Sequence, residues 1–470
     1  MHLRFRACLG LLLTACISAP DRPEDWERPE LPAAYEEAQA PSELAAIEID
    51  WWTRFEDPVL DSLVLEALAH NHDLGAAAQR VVAAAGQARV AGALDQPSVD
   101  YSFSAARNRN VFVGLPIPGG RNVLSNTFTN FSNTFGISWE ADLWGRLASQ
   151  ERSALASLAA IEAERAGVQL SVSAQTVDLW FGLIDARLQR ELAERTLANF
   201  QDSERFVGER YRAGVAAALD LRLAETQTAG AAAALTSARQ VERSSRRALE
   251  VLLGRYPSAE LEAQERLPSL PGPVPAGLPI DLISRRPDLV AAEQSLLALE
   301  ATGDSLRADL YPRLALTGSF GTTSDMLEDL LDGDFSIWGL AAGLAQPVLD
   351  GGRRRAEIEV QDARLREARA RFAQSVLMAC SEVENALDSE FFLDERAGHL
   401  SAALVAASAA EELSEAQYKE GLVDIVTLLE AQRNRITAES SVLSAERAVL
   451  SSRVALIRSL GGGLLPGEPQ

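Results

Sequence analysis

Residues that carry redox, metal or nucleic-acid chemistry are scarce in this chain of 470 residues. It contains three Cys and four His, and 44 basic residues stand against 67 acidic ones. Cys8 and Cys16 lie close to the start, so Cys380 has no partner over the rest of the chain and a disulfide framework is excluded. The formal charge of −23 argues against nucleic-acid binding, which requires a basic face. No acid–base, nucleophile or metal constellation is found, so the sequence predicts neither an enzyme nor a cofactor.

Long hydrophobic runs are also missing. Outside the first sixteen residues no stretch of about 18 apolar residues occurs, so no membrane-crossing helix is predicted. The start, MHLRFRACLGLLLTAC, places Arg4 and Arg6 before a short apolar segment, which is typical of an export signal. Its last four residues, Leu13-Thr14-Ala15-Cys16, resemble the lipobox of bacterial lipoproteins. That resemblance implies cleavage before Cys16 and its acylation; the alternative is an ordinary signal with a chance cysteine.

Proline is absent from two stretches of 68 residues each, 144–211 and 351–418. Apolar residues recur there every seven positions, for example from Ile358 through Leu365 to Ala407. A sustained seven-residue repeat predicts long helices in coiled-coil packing. At 1.5 Å per residue each helix would be roughly 100 Å long.

The two stretches belong to an internal duplication. YRAGVAAALDLRLAE at 211–225 returns as YKEGLVDIVTLLEAQ at 418–432, an offset of 207 (418 − 211). Gly214 and Gly421 permit the positive φ of a sharp reversal, and Tyr211 and Tyr418 are expected to pack beneath it. The pattern therefore predicts, for each copy, a helix, a strand hairpin, a long helix, a tight turn and a shorter helix.

The first helix of the first copy is expected from Asp57 to Pro97. It contains His70-Asn71-His72, which lacks the surrounding spacing of a metal site. The hairpins are expected at about 98–142 and 313–349, where apolar and polar residues alternate. Four strands cannot close a barrel and an open edge cannot lie in lipid, so either other copies of the chain complete the sheet or the strands are not transmembrane. The sequence thus predicts an oligomeric barrel fused to a helical tube.

Seven segments carry a resemblance to a known family. They are WWTRFEDPVLDSLVLEALAHNHDL (51–74), ISWEADLWGRL (137–147), RYRAGVAAALDLRLAE (210–225), SRRPDLVAAE (284–293), YPRLALTGSFG (311–321), QPVLDGGRRRAEI (346–358) and YKEGLVDIVTLLEAQ (418–432). Their order, together with the duplication and the lipobox, resembles the TolC-like outer-membrane efflux channels, in the OprM-like (NodT-type) lipoprotein branch.

The resemblance implies a mainly α fold with a transmembrane β portion, in which a homotrimer forms a 12-stranded β-barrel continuous with a periplasmic α-helical coiled-coil barrel. It places the protein in the outer membrane, anchored by lipid and projecting into the periplasm. The implied function is the exit duct of a tripartite efflux system that conducts small molecules passively. The implied partners are a periplasmic adaptor and an inner-membrane pump, often of the resistance-nodulation-division type.

The duplication and the resemblance together suggest how the chain is divided. The expected parts are a signal peptide (1–15), a lipid-anchored tether (16–56), a first efflux repeat (57–254), a Pro-rich equatorial connector (255–287), a second efflux repeat (288–461) and a tail (462–470). The helical tips are expected at about 211–219 and 418–425.

The family's gate lies at the periplasmic tip of the second repeat, as an apolar and an acidic ring. By position after the Tyr-x-x-Gly turn, the resemblance assigns Val426 to the apolar ring and Glu430 to the acidic ring, with Thr427 beside them. Glu430 replaces a common Asp, Thr427 stands where some members carry another Asp, and Val426 is smaller than the frequent Leu. Three copies of Glu430 would attract cations; the alternative is a solvated helix residue.

Adaptor docking is expected at both turns. The residues assigned to it are Tyr211, Gly214, Val215, Ala216 and Leu219 on the first tip, and Tyr418, Gly421, Leu422 and Val423 on the second. The two glycines could instead serve the turns alone, and both roles are compatible. Two other functions stay open from the sequence: an exit duct for secreted proteins, and a non-transporting periplasmic coiled-coil lipoprotein scaffold.

Overall fold

The computed structural model describes residues 31–32, 35, 48–112, 124–274, 277 and 279–463. The export signal and Cys16 lie outside the described residues, as do most of the tether and the tail. The chain separates into two compact units. The sheet unit consists of residues 82–159 and 294–370, and the helical unit has its described residues within 27–81, 160–293 and 371–463.

Helices account for most of the described residues. In chain order they are α1 Pro58–His70, α2 His72–Ala93, α3 Arg146–Arg212, α4 Ala218–Leu252, α5 Leu282–Arg285, α6 Pro287–Ala308, α7 Arg353–Lys419 and α8 Ile425–Ser459. The duplication is visible in their lengths, because α3 and α7 have 67 residues each and α4 and α8 have 35 each. The predicted pattern of long helix, turn and shorter helix is confirmed in both copies. Among the described residues, no helix is long and apolar enough to cross a membrane.

The predicted single helix from Asp57 to Pro97 is wrong, because the chain breaks at Asn71. The Asn71 side chain accepts hydrogen bonds from the backbone N–H groups of Asp73 and Leu74, at 3.0 and 3.1 Å, and so caps the start of α2. Its amide nitrogen also donates to the Leu252 carbonyl at 2.9 Å. The His-Asn-His motif is therefore a helix junction, as expected for Asn at a cap position.

The sheet unit holds four antiparallel strands in the order β1-β2-β3-β4. They are Ser98–Phe112, Leu124–Ala141, Arg313–Ser324 and Ser336–Ala345. The register aligns Tyr101, Phe135, Phe320 and Trp338 in one row across all four strands. The neighbouring row, Ser102, Thr134, Gly321 and Ile337, lies on the opposite face because successive residues of a strand alternate sides.

The two faces of the sheet differ in polarity along the strands. The face that carries the aromatic row also carries Val99 and Phe103 on β1 and Leu340 and Leu344 on β4. The opposite face carries small and polar residues such as Ser98, Ser138 and Thr317, which the register places side by side. Such alternation is the pattern of a strand with one apolar and one polar environment.

Trp144 lies where β2 gives way to α3. Its indole N–H donates to the Pro312 carbonyl at 2.8 Å, and its ring stacks on Tyr311 with 4.9 Å between centroids. Tyr311 and Pro312 come just before β3, so within the sheet unit the contact joins the end of the first hairpin to the start of the second.

In the helical unit, Asp57 organises the core around α1. Its carboxylate caps α1 by accepting from the N–H groups of Val59 and Leu60, and it also accepts from the indole of Trp180 at 2.8 Å and from Gln264. Trp180 is fully buried. One buried carboxylate thus connects three segments that are far apart in sequence, and all its hydrogen-bonding capacity is used.

The Pro-rich connector packs against the helices of this unit through its backbone. Arg187 of α3 donates to the Ala263 carbonyl, and Arg453 of α8 donates to the carbonyls of Pro271 and Gly272. Arg453 is buried and also forms an ion pair with Glu390 of α7. An irregular segment needs such partners, since its own backbone groups have no regular structure to satisfy them.

Candidate functional site at the helical tips

The first tip is the turn between α3 and α4. Gly214 has a φ of +77°, and its N–H donates to the Tyr211 carbonyl at 2.9 Å. The N–H of Val215 donates to the Arg210 carbonyl at 2.9 Å, which completes the pattern of a helix ended by a left-handed glycine. The Asp220 carboxylate reaches back to accept from the Ala217 N–H at 3.1 Å, at the start of α4.

The second tip, between α7 and α8, repeats this backbone. Gly421 has a φ of +78°, its N–H donates to the Tyr418 carbonyl, and the Leu422 N–H donates to the Gln417 carbonyl. The cap of α8 differs from that of α4. Asp424 accepts from both the backbone N–H and the hydroxyl of Thr427, at 2.8 and 2.7 Å. These two hydrogen bonds hold the pKa of Asp424 below its ordinary value, and the bond from the Thr427 hydroxyl has the larger effect.

An aromatic and cationic cluster lies under the second turn. The Tyr418 ring packs edge to face against Phe206 at 6.1 Å between centroids. The Arg210 guanidinium lies 5.3 Å from the Tyr418 ring centre and 5.8 Å from that of Phe206, and it donates to the Tyr418 carbonyl. Burial raises the pKa of the Tyr418 phenol, although the Arg210 charge opposes the change. The cluster therefore connects the long helix of one repeat to the tip of the other.

The two tyrosines differ although they occupy equivalent positions. The packing expected beneath the turn is confirmed for Tyr418, which is 6% exposed. It is wrong for Tyr211, which is 43% exposed. Only Tyr418 has a pocket, because Phe206 and Arg210 come from the first repeat and their counterparts, Leu413 and Gln417, are an aliphatic and an amide residue.

An apolar cluster brings both tips into one core. All four helices contribute to it, and its buried members are Phe200, Val207, Ala224, Ala231, Tyr418, Ile425, Leu428 and Leu429. The members from α8 are spaced by three and four residues, so they form one helical face. The tips are thus held by packing as well as by their caps.

The predicted gate residues lie on α8 away from that core. Val426 is 50% exposed, and Thr427 and Glu430 are exposed as well. Val426 and Glu430 are four residues apart and share a face of the helix. Thr427 has a structural task that the sequence assignment missed, since its hydroxyl is bonded to Asp424.

Most of the residues assigned to adaptor docking are exposed at the two turns. On the first tip these are Tyr211, Gly214, Val215 and Leu219, and on the second they are Gly421 and Leu422. Ala216 and Val423 are half-buried, and Val423 packs against the apolar cluster. Val215, Leu219 and Leu422 expose about two thirds of their surface, which leaves apolar side chains in solvent at both turns.

Two residues of the tips were missed from the sequence. Asp424 was passed over although an Asp directly before a segment of apolar residues at helical spacing is a helix-start signal. Arg210 gave no such signal, because its partner Tyr418 is 208 residues away. No group of Asp, Glu, His and Cys able to hold a metal ion is found in the described part of the chain.

Two helical hairpins with the same turn, together with a sheet that has one apolar and one polar face, point to the class of outer-membrane channels. Comparison with protein-family models identifies the family: the model described as "Outer membrane efflux protein" matches residues 63–255 and again 278–462. The chain belongs to this family. It is an outer-membrane component of an efflux system, and a conduit rather than an enzyme.

Similar proteins carry the same description. The chain is 32% identical over 418 residues to the pyoverdine export outer membrane protein OpmQ of Pseudomonas aeruginosa, covering 88% of this chain and 87% of OpmQ. It is 29% identical over 468 residues to the toluene efflux pump outer membrane protein TtgF of Pseudomonas putida, covering 97% and 96%. The solved outer-membrane channel OprN superposes with a TM-score of 0.85 at 30% identity, over 95% of this chain and 99% of OprN.

Proposed function

We propose that three copies of the chain close their sheets into one 12-stranded barrel. The observation that carries this is the sheet itself, which has one apolar face and whose β1 and β4 edges are unpaired within the part of the chain that the structure describes. An unpaired edge costs several kcal/mol for each backbone group left without a partner in lipid, so four strands in a membrane require more strands beside them. The TolC-like fold of the similar structures supports a trimer.

The distal half of α7 supports the same assembly. From 387 to 417 it has no buried residue in the described chain, and Leu393, Leu400 and Ala407 of the predicted seven-residue repeat are only half-buried. The earlier positions of that repeat, Ile358 to Ala386, are buried. Further copies packed around a periplasmic tunnel would cover the remaining part.

We further propose a gate at the second tip, formed by Val426 and Glu430 of three copies. Both side chains project from α8 on a face that the core does not use. A ring of three carboxylates raises the local concentration of cations, so an acidic gate favours cation flow. Thr427 would act there indirectly, by fixing Asp424 and with it the start of α8.

Ion selectivity in planar bilayers tests the gate. With Glu430→Gln the permeability ratio of potassium to chloride should fall, whereas the matched control Glu225→Gln, on the shorter helix of the first repeat, should leave it unchanged. Val426→Ala should raise the conductance. An unchanged selectivity with Glu430→Gln would show that this residue is a solvated helix residue.

The exposed turns are proposed as the docking surface for a periplasmic adaptor. Gly214→Asp and Gly421→Asp each put a charge on an apolar turn and should abolish resistance to exported compounds at normal trimer levels. Gly421→Asn is the matched control, because Asn tolerates a positive φ and adds no charge. Resistance that survives both Asp substitutions would place docking elsewhere.

Small molecules are the proposed cargo, delivered by an inner-membrane pump of the resistance-nodulation-division type. The names of the similar proteins support this, because they refer to pyoverdine export and toluene efflux. Family membership decides against a non-transporting scaffold. Export of polypeptides is the remaining alternative, and the adaptor that binds the tips would distinguish the two.

Lipid attachment at Cys16 and the division of the chain are also proposals. Labelling with a palmitate analogue should mark the wild-type protein and not Cys16→Ser. If Cys16→Ser is unlabelled and still inserts into the outer membrane, the lipid on this cysteine anchors the protein and is not needed for insertion. The two family matches support two efflux repeats, at 57–254 and 288–461, around a connector at 255–287.

A further inference from the structure

The two edges of the sheet carry opposite charges next to their unpaired strands. On β1, Arg107 and Arg109 lie near the hairpin end and are exposed. From Tyr101 to Trp139 the sequence contains three Arg and no acidic residue, in a chain whose net charge is −23. This hairpin is thus a basic exception in an acidic protein.

The second hairpin has the reverse composition. Asp325, Glu328, Asp329, Asp332 and Asp334 lie between β3 and β4, with no basic residue among them. Asp332 and Asp334 come directly before β4 and are exposed. No ion pair links them to an arginine within the described residues.

Within one chain the two edge strands of the sheet are far apart. Adjacent strands lie about 4.8 Å apart, so β1 and β4 of the same sheet are separated by three spacings, about 14 Å. If the sheets of three copies close into a barrel, β4 of one copy becomes the direct neighbour of β1 in the next. The register places Ser336 in the row of Phe103, so Arg107 and Arg109 lie beyond that row, towards the same end of the sheet as the loop that holds Asp332 and Asp334.

We infer that Arg107 and Arg109 on β1 bind Asp332 and Asp334, in the loop directly before β4, of a second copy of the chain. This inference rests on the proposed trimer and adds an ionic contact that repeats at each of its three seams. The contact also fixes which edges meet, because β1 against β1 would bring like charges together and is disfavoured.

Disulfide trapping tests the pairing directly. Arg109→Cys and Asp334→Cys are combined in a Cys380→Ser background, and the oxidised protein is run on a denaturing gel. Cysteines whose Cα atoms are more than 7 Å apart cannot be bridged. A bond within one chain gives no covalent dimer or trimer, so any such product reports a seam between copies. We expect covalent trimers that a reductant converts to monomers.

Charge reversal tests whether the ionic contact stabilises the trimer. R107E/R109E and D332K/D334K should each lower the temperature at which the trimer dissociates in detergent, and their combination should restore it. The matched control combines R107E/R109E with D325K/E328K, which makes the same charge change on the β3 side of the loop and should restore less. High salt should reduce the difference between wild type and variants.

The outcomes separate this inference from the proposed trimer. A wild-type protein that is not trimeric would overturn the assembly itself. If the wild type is trimeric but the cysteine pair gives no covalent trimer, the ionic seam alone would be overturned. The same holds if the losses of trimer stability from the two charge reversals add up in the combined variant. Loss of bound lipid phosphate in R107E/R109E without rescue by D332K/D334K would assign the two arginines to lipid headgroups.

Discussion

The two tips have nearly the same backbone and different side-chain chemistry. Gly214 and Gly421 have the same φ within a degree, and both turns close with the same two hydrogen bonds. The caps of the following helices differ. In α4 the capping carboxylate belongs to Asp220, the third residue of the helix, whereas in α8 it belongs to Asp424, the residue before the helix. The duplication therefore preserved what the turn geometry requires, and it left the caps and the packing free to diverge.

The largest difference between the tips should appear on truncating the two tyrosines. Tyr418→Ala removes a buried ring and should cost about 3 kcal/mol of local stability. Tyr211→Ala should change little, because its ring is largely in solvent. Hydrogen exchange of residues 425–432 measures the effect, and equal acceleration in both variants would remove the distinction between the tips.

The two glycines should respond equally. Gly214→Ala and Gly421→Ala each place a Cβ at a positive φ, which costs about 1–2 kcal/mol. No neighbouring atom lies within contact distance of either added Cβ, so backbone strain is the only penalty. Thermal unfolding of the two variants should agree within error, and a clear inequality would show that the turns differ in more than side chains.

Removing the Arg210 cation should have a smaller effect. Arg210→Met keeps the aliphatic stem and loses the interaction with the rings of Tyr418 and Phe206, which is worth about 1 kcal/mol. Gln417→Met, the equivalent position of the second repeat, is the control. Exchange around Tyr418 should increase with Arg210→Met only; no increase would mean that the guanidinium contributes nothing measurable there.

The smallest effect concerns acid sensitivity of the second cap. Because the pKa of Asp424 is lowered in the folded state, its stabilisation of α8 is present above the ordinary Asp pKa and is lost as pH falls through the lowered value. Thr427→Val removes one of the two hydrogen bonds and should move this loss to higher pH. Exchange at 425–428, corrected for intrinsic rates, follows the transition, and Thr226→Val on the first tip should leave it in place.

Much of the fold follows from periodicity, and the exceptions have physical causes. The seven-residue repeat and the proline-free stretches predicted α3 and α7 to within two residues, since long helices depend on local pattern. The break at Asn71 was missed although its cap is local, because apolar residues continue at helical spacing on both sides of it and only the contact with Leu252, far along the chain, marks the junction in the fold. The seven-residue repeat predicted packing beyond Ala386 as well, but a single chain leaves Leu393, Leu400 and Ala407 only half-buried.

The candidate site was predictable in position and less so in chemistry. The repeated Tyr-x-x-Gly turn located both tips. The cluster of Arg210 with Phe206 and Tyr418 could not be predicted, because it joins residues of different repeats. The bond between Asp424 and Thr427 was missed because Thr427 was assigned to the gate.

The central claim is that the two turns are where the channel meets its partner. A photoreactive residue in place of Val215 or Leu422, with crosslinking in cells, tests it most directly. We expect both positions to capture a periplasmic adaptor of an efflux pump, and a probe at Val360, exposed on α7 in the sheet unit, to capture none. Abundant trimeric protein with no adaptor captured at either turn would contradict the account.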